Sequence, residues 1–214
     1  LKVDTGTAPL RRLSTSRGLA MGPSLSASCG CRSGVRGCDD RPGFAHLSEF
    51  SPLLYVGNRY SAAAGDGFGA VISTVTPLGL GGAPAPQLST CAIHFEDGHG
   101  GEDDDEVAVA RASIVRGSDA VARAVADGQR TLVHCEWGQN RSGSICCAYA
   151  ILHKGWAADE AIAYMQARNF ADRQYVGQSP MSNKCFNEIM RHLEREHKDQ
   201  LEDASVQKAR PGGS

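Results

Sequence analysis

One stretch of the chain, TLVHCEWGQNRSGS at residues 131–144, combines a thiol, an arginine and hydroxyl groups at a spacing that could do chemistry. A short apolar run ends at His134 and Cys135, and Arg141 and Ser142 stand just before a second apolar run. The pattern predicts a strand, a loop and a helix in succession. Such a loop leaves backbone N–H groups free beside the positive end of a helix dipole, which makes it an anion site.

The residue types in this loop favour phosphate chemistry. The local field favours the thiolate form of Cys135, which is the nucleophilic form of the side chain. Arg141 offers a planar pair of donors that matches two phosphate oxygens. A thiolate, a ring of N–H donors and an arginine together predict attack on a phosphoester.

The elements that must position this loop are predicted from apolar patterning. Strands alternate with helices, and the strands are continuous apolar runs, which indicates an α/β fold. We expect a central, mostly parallel sheet of about four to five strands flanked by helices. The predicted strands are 52–57, 70–75, 91–95 and 131–135, and the predicted helices are 61–68 (weak), 102–127, 144–153, 158–168 and 183–197.

Two helices have apolar positions at helical spacing. In the helix at 102–127, the stripe comprises Val107, Ala110, Ile114, Val121 and Val125. In the helix at 144–153, the expected buried face comprises Ile145, Ala148, Tyr149 and Leu152.

Composition divides the chain into three parts. Residues 1–42 lack apolar periodicity and are predicted to be disordered, residues 43–198 form the predicted domain, and residues 199–214 form a polar tail. Cys29, Cys31 and Cys38 lie in the first part, with no obvious fourth metal ligand. We expect no metal and no cofactor, because the thiolate and Arg141 supply what a metal would.

Charge and hydropathy limit the partners. The formal charge of the chain is -2, and no apolar run is long enough to span a bilayer, so we expect neither nucleic acid nor membrane as a partner. The chain is longer than the usual disulfide scaffold and several of its eight cysteines lie inside apolar patterns, which favours reduced thiols and a cytoplasmic location. A nuclear location, or organelle targeting by residues 1–28, remains an alternative. The oligomeric state is left open.

The motif His134-Cys135-x5-Arg141-Ser142 resembles the signature loop of the cysteine-dependent protein tyrosine phosphatase superfamily, and is most similar to its dual-specificity branch. The likeness covers about residues 44–197. It continues in the segments SPLLYVGN, AVISTV, AIHFED, DEAIAYMQARN and SNKCFNEIMRHLE.

The resemblance implies a protein phosphatase that hydrolyses phosphotyrosine and phosphoserine or phosphothreonine through a phosphocysteine. Cys135 would be the nucleophile, Arg141 would hold the phosphoryl oxygens, and Ser142 would help the sulfur leave. His134 would support the thiolate from behind the loop. The backbone of Glu136, Trp137, Gly138, Gln139 and Asn140 would donate N–H groups to the phosphate.

A general acid must protonate the leaving oxygen. Asp97 is the candidate, because it directly follows a predicted strand and precedes Gly98. The gap from Asp97 to Cys135 is longer than the family leads us to expect, so the acidic run at Asp103, Asp104 and Asp105 is the alternative.

Other interpretations remain open. Glu136 and the absence of lysine from 136–140 disfavour a polyphosphoinositide substrate, and Trp137 either walls the pocket or only packs on the domain. A phosphoprotein-binding pseudophosphatase and an RNA 5′-phosphatase are the alternative functions, while the Cys-x5-Arg spacing argues against sulfur transfer. Cys91, Cys146 and Cys147 are interpreted as structural, with a redox partnership to Cys135 as the alternative.

Overall fold

The computed structural model describes residues 44–61, 67–75, 89–97, 104–167 and 180–209. This part of the chain contains five strands and four helices. In chain order they are β1 (Phe44–His46), β2 (Leu54–Gly57), β3 (Ala70–Ser73), β4 (Ser89–Ala92), α1 (Asp104–Ala126), β5 (Thr131–His134), α2 (Asn140–Lys154), α3 (Ala158–Ala167) and α4 (Lys184–Ala209).

The strands form one sheet in the order β1-β2-β5-β3-β4. All neighbouring pairs are parallel except β1 with β2, which is antiparallel. In the two pairings of β5, Gly57 and Ser73 both lie in register with His134. The carboxyl ends of three strands therefore meet at one edge, and this sheet confirms the predicted α/β fold.

Helix α2 lies at the centre of the domain. It contacts α1, α3, α4 and strand β5, so residues on every side of the helix are buried. The predicted face was therefore too narrow: Ile145, Ala148 and Tyr149 are buried, Leu152 is only partly buried, and the rest of the helix from Ser142 to Ile151 is buried as well. Small residues at the contacts allow the neighbouring helices to pack close to α2. In α1, for example, a Cβ on Gly117 would lie 2.6 Å from the Ile145 Cδ1 atom.

Helices α1 and α4 are amphipathic: α1 packs on strands β3 and β5, and α4 packs on α2 and α3. The predicted α1 stripe is confirmed, since Ala110, Ile114 and Val121 are buried and Val107 and Val125 are partly buried. Three acidic residues occupy the first turn of α1, where the helix dipole favours negative charge.

Helix α4 is longer than predicted. It was expected to end near residue 197, but it continues to Ala209, and residues 199–208 are exposed. This segment carries no apolar stripe, so periodicity gave no signal, although its Glu, Gln, Lys and Ala residues are good helix formers.

The edges of the sheet also differ from the prediction. Strand β1 was missed, because three residues at a sheet edge carry little pattern. Strand β4 spans Ser89–Ala92 rather than 91–95. Ile93 and Phe95 are buried beyond its end, and the Ile93 N–H donates to the Ser73 carbonyl at 2.8 Å.

Several predictions fall outside the described residues: the disordered segment 1–42 with its three cysteines, most of the weak helix at 61–68, and Asp103. Among the helices that the structure describes, none has the length and apolar character needed to cross a membrane.

Ending the chain at Lys198 should leave the free energy of unfolding within about 0.5 kcal/mol of that of the full chain, because the α4 residues removed are exposed. Chemical denaturation measures this directly. As a control, Leu193→Ala truncates a side chain that is 3% exposed on the same helix and should cost about 2–5 kcal/mol. A truncation that costs as much as the control would show that the end of α4 supports the core.

Candidate active site

The loop between β5 and α2 surrounds the sulfur of Cys135, and the residue as a whole is 2% exposed. We call residues 135–141 the cysteine loop. The Gly138 N–H donates to the Cys135 Sγ at 3.0 Å, and the Ser142 hydroxyl donates to the same sulfur at 3.3 Å. Two donors from the loop and from α2 therefore converge on one sulfur.

The shape of the cysteine loop depends on Gly138. Its φ is 74°, in the left-handed region that residues with a Cβ rarely adopt. A Cβ at this position would also lie 2.6 Å from the Gly57 carbonyl oxygen at the end of β2. The loop is therefore seated directly on the neighbouring strand, which turns the Gly138 N–H toward the sulfur.

Arg141 stands where the cysteine loop enters α2. Its Nη1 donates to the Thr74 carbonyl at 3.5 Å, while the buried Nε has no hydrogen-bond partner among the described residues. Thr74 follows β3 and donates to the His134 carbonyl through its N–H at 3.0 Å and its hydroxyl at 3.3 Å. The guanidinium is thus held from one side and keeps donor capacity for an oxyanion.

Glu136 does not leave an uncompensated negative charge in the loop. Its carboxylate lies 2.7 Å from the Arg59 guanidinium, and both side chains are half-buried. Arg59 also donates to the Tyr60 hydroxyl at 2.6 Å. The sequence argument that Glu136 disfavours a highly charged substrate is therefore weakened. Trp137, next in the loop, is half-buried.

Asp97 reaches the cysteine loop from the segment after β4. Its Oδ2 accepts from the Asn140 side-chain amide at 3.3 Å, and its Oδ1 accepts from the Asn183 amide at 2.9 Å. Asp104 and Asp105, from the alternative acidic run, are exposed in the first turn of α1. The structure thus brings Asp97 together with Asn140 of the loop, and the role of Asp97 as the acid stays a prediction.

Three residues at this site were not identified from the sequence. Thr74, Arg59 and Asn183 come from three segments far apart in the chain. Thr74 had a positional signal, because it directly follows a strand beside β5. Asn183 also had a signal in the sequence, because asparagine is preferred at the residue that precedes a helix. In the structure its side-chain oxygen accepts from the Cys185 and Phe186 N–H groups and caps α4.

His134 is fully buried behind the loop. Neither ring nitrogen has a hydrogen-bond partner among the described residues, and burial lowers the pKa of His134 from 6.5 to about 4. The ring is therefore neutral at physiological pH. The supporting role that the resemblance implies for this side chain stays a prediction.

The other described cysteines are free thiols. Cys146 and Cys147 are fully buried in α2, and burial raises the pKa of both. Cys91 is half-buried on β4. A structural role fits this burial, and the redox alternative stays a prediction.

Gly138→Ala should destabilise the protein more than Gly128→Ala. Both glycines have a φ near 73°, so each substitution costs about 1–2 kcal/mol of backbone strain, but a Cβ at Gly128 has nothing within 4 Å. Only Gly138→Ala adds the collision with Gly57, which should also displace the N–H from the sulfur. Equal losses of unfolding free energy in the two variants would contradict the close seating of the loop.

Acid should destabilise the fold through His134. Because its pKa is lowered on folding, the unfolded state binds the proton more tightly, and stability falls as the pH drops from 6.5 to about 4. The loss across that window is about 3 kcal/mol. His134→Leu should remove this part of the pH dependence of unfolding, whereas substitution of the exposed His192 by Leu should not. An unchanged pH dependence in His134→Leu would contradict the assignment.

Comparison with known proteins agrees with this geometry. The sequence profile of the family described as "Dual specificity phosphatase, catalytic domain" matches residues 88–196, just over half of the chain. The match includes Asp97, Cys135 and Arg141. No curated protein sequence gives a significant match.

Solved structures share the fold at low sequence identity. A mouse protein assigned as a dual specificity phosphatase and crystallised with zinc tungstate is 23% identical, with a TM-score of 0.58, covering 81% of this chain and 97% of its own. Human DUSP28 is 22% identical, with a TM-score of 0.53 and coverage of 70% and 93%. PTPMT1 in complex with PI(5)P is 15% identical, with a TM-score of 0.52 and coverage of 74% and 98%.

The profile match spans the strand, loop and helix that hold the thiol, and the sheet and helices correspond to those of the solved phosphatases. The chain therefore belongs to the dual specificity phosphatase catalytic domain family.

Proposed function

We propose that this chain hydrolyses phosphotyrosine and phosphoserine or phosphothreonine in protein substrates through a phosphocysteine intermediate. The observation that supports this best is the environment of Cys135: its sulfur accepts two hydrogen bonds in a loop that ends at Arg141. The thiolate and the guanidinium supply the nucleophile and the positive charge that metal ions supply in other phosphatases.

In the first step, the Cys135 sulfur attacks phosphorus and forms the S–P bond. The P–O bond to the substrate breaks, and Asp97 transfers its proton to the departing oxygen. The Arg141 guanidinium and the N–H groups of the cysteine loop bind the non-bridging oxygens, whose charge they stabilise in the transition state.

In the second step, a water molecule attacks the phosphocysteine and Asp97, now a carboxylate, accepts the proton of that water. The S–P bond breaks and inorganic phosphate leaves. The Ser142 hydroxyl, 3.3 Å from the sulfur, donates to the developing thiolate and stabilises it as a leaving group.

A phosphoprotein is the proposed substrate, and the cytoplasm is the proposed location, because a catalytic thiol needs reducing conditions. Lysine is absent from positions 136–140, and Glu136 is paired with Arg59, so the loop carries Arg141 as its only cationic side chain. This charge suits a phosphate monoester on a peptide rather than a polyphosphorylated headgroup.

Hydrolysis of an aryl phosphate by the full chain, with reductant and EDTA present, tests this proposal. Cys135→Ser should abolish turnover, whereas Cys91→Ser, which makes the same thiol-to-hydroxyl change on β4, should retain it. A folded wild-type protein without turnover of aryl phosphate or phosphopeptide would favour a phosphoprotein-binding pseudophosphatase.

Asp97→Ala should lower kcat on a phosphotyrosine peptide by about 10²-fold and flatten the fall of activity at alkaline pH, because the proton donor is lost. The pH profile of kcat measures both effects. Wild-type behaviour of Asp97→Ala would show that the acid lies elsewhere, and the run at 103–105 would be tested next.

A further inference from the structure

Two asparagine side chains hold the carboxylate of Asp97. Asn140, 43 residues later in the chain, donates to its Oδ2 at 3.3 Å. Asn183, 86 residues later, donates to its Oδ1 at 2.9 Å. One donor on each oxygen fixes both the position of the carboxylate and its rotation about the Cβ–Cγ bond. We call Asp97, Asn140 and Asn183 the carboxylate clamp.

The carbonyl end of each asparagine is bound as well, and this aims the NH₂ end at Asp97. The Asn140 Oδ1 accepts from the Ser182 N–H at 3.0 Å, the Ser182 hydroxyl at 3.4 Å and the Asn183 N–H at 3.3 Å. The Asn183 Oδ1 accepts from the first turn of α4, at 3.0 Å and 3.3 Å. A flipped amide would set NH₂ against N–H in either residue, so the donors must face the carboxylate.

The segment that carries Asn183 is anchored in the core. Met181 is fully buried at a φ of 55°, and its Sδ lies 3.0 Å from the place of a Cβ on Gly143 of α2. Its carbonyl accepts from the Gln166 amide at 3.3 Å and the Asn187 amide at 3.2 Å. The carboxylate clamp therefore rests on α2, α3 and α4 rather than on a loop alone.

We propose that Asn140 and Asn183 are positioning residues that hold the general acid over the cysteine loop before substrate binds. The inference rests on the proposed function of Asp97. A protonated carboxyl has one O–H donor besides its acceptor sites, so the two amide bonds leave that O–H available to the substrate oxygen. Proton transfer needs a short and well-directed approach, so an acid held in place avoids the cost of ordering it in each turnover.

The test is the dependence of kcat/KM on the leaving group, measured with the full chain on a series of aryl phosphates. A phenol that leaves easily needs little protonation, whereas a basic phenol depends on the acid. The measured quantity is the ratio of kcat/KM on the most acidic phenol to kcat/KM on the most basic one, because kcat/KM excludes the later hydrolysis of the S–P bond. Loss of a correctly placed acid raises this ratio, whereas a general loss of activity lowers both rates and leaves it unchanged.

Asn183→Ser is the main variant, because serine keeps an N-cap acceptor for α4 but removes the amide that reaches Asp97. We expect the ratio to rise about tenfold. Gln200→Ser is the matched control: it removes an exposed amide on the same helix, outside the segment that carries Asn183. A ratio that rises equally in both variants, or in neither, would overturn the proposal.

A double variant separates this proposal from the proposed function. If the clamp acts through Asp97, Asn183→Ser should not raise the ratio further in an Asp97→Ala background. An additive rise would overturn the clamp. If Asp97→Ala alone leaves the ratio at its wild-type value, Asp97 is not the acid, and the clamp fails together with the role proposed for Asp97, whereas the phosphatase activity is tested separately by Cys135→Ser. If Asp97→Ala raises it and Asn183→Ser does not, only the clamp fails.

Discussion

The hydrogen bond from the Gly138 N–H to the Cys135 sulfur is the interaction on which the rest of the site depends. It requires the left-handed backbone of Gly138, and that backbone is possible only because no Cβ stands between the loop and Gly57. Gly57 in turn is placed by the register of β2 against β5. The chemistry of one sulfur atom is thus coupled to strand pairing in the centre of the sheet.

The neighbouring elements add one group each around this centre. Thr74, directly after strand β3, donates to the His134 carbonyl and accepts from Arg141, so the guanidinium is attached to the sheet as well as to α2. The segment after β2 supplies Arg59, which pairs with Glu136 and offsets its charge. Parallel strands make this arrangement possible, because the segments that follow them emerge at the same edge.

Local patterns in the sequence were sufficient to predict the centre of this structure but not its surroundings. The strand, loop and helix around Cys135 and Arg141 lie within one continuous segment, so the spacing of its apolar and polar residues was enough to predict these elements. Thr74, Arg59 and Asn183 act through contacts with residues distant in sequence, and no local pattern specifies those contacts. The end of α4 was missed for a different reason: an exposed polar helix has propensity but no periodicity.

The central claim is that Cys135 becomes covalently phosphorylated during turnover, and rapid-quench mass spectrometry of the intact protein tests it most directly. Asp97→Ala with an aryl phosphate that has an easily leaving phenol should accumulate the intermediate, because loss of the base slows hydrolysis of the S–P bond. The account predicts one added phosphoryl group that maps to Cys135. Turnover without a covalent phosphoryl group, or with the group on another residue, would contradict it.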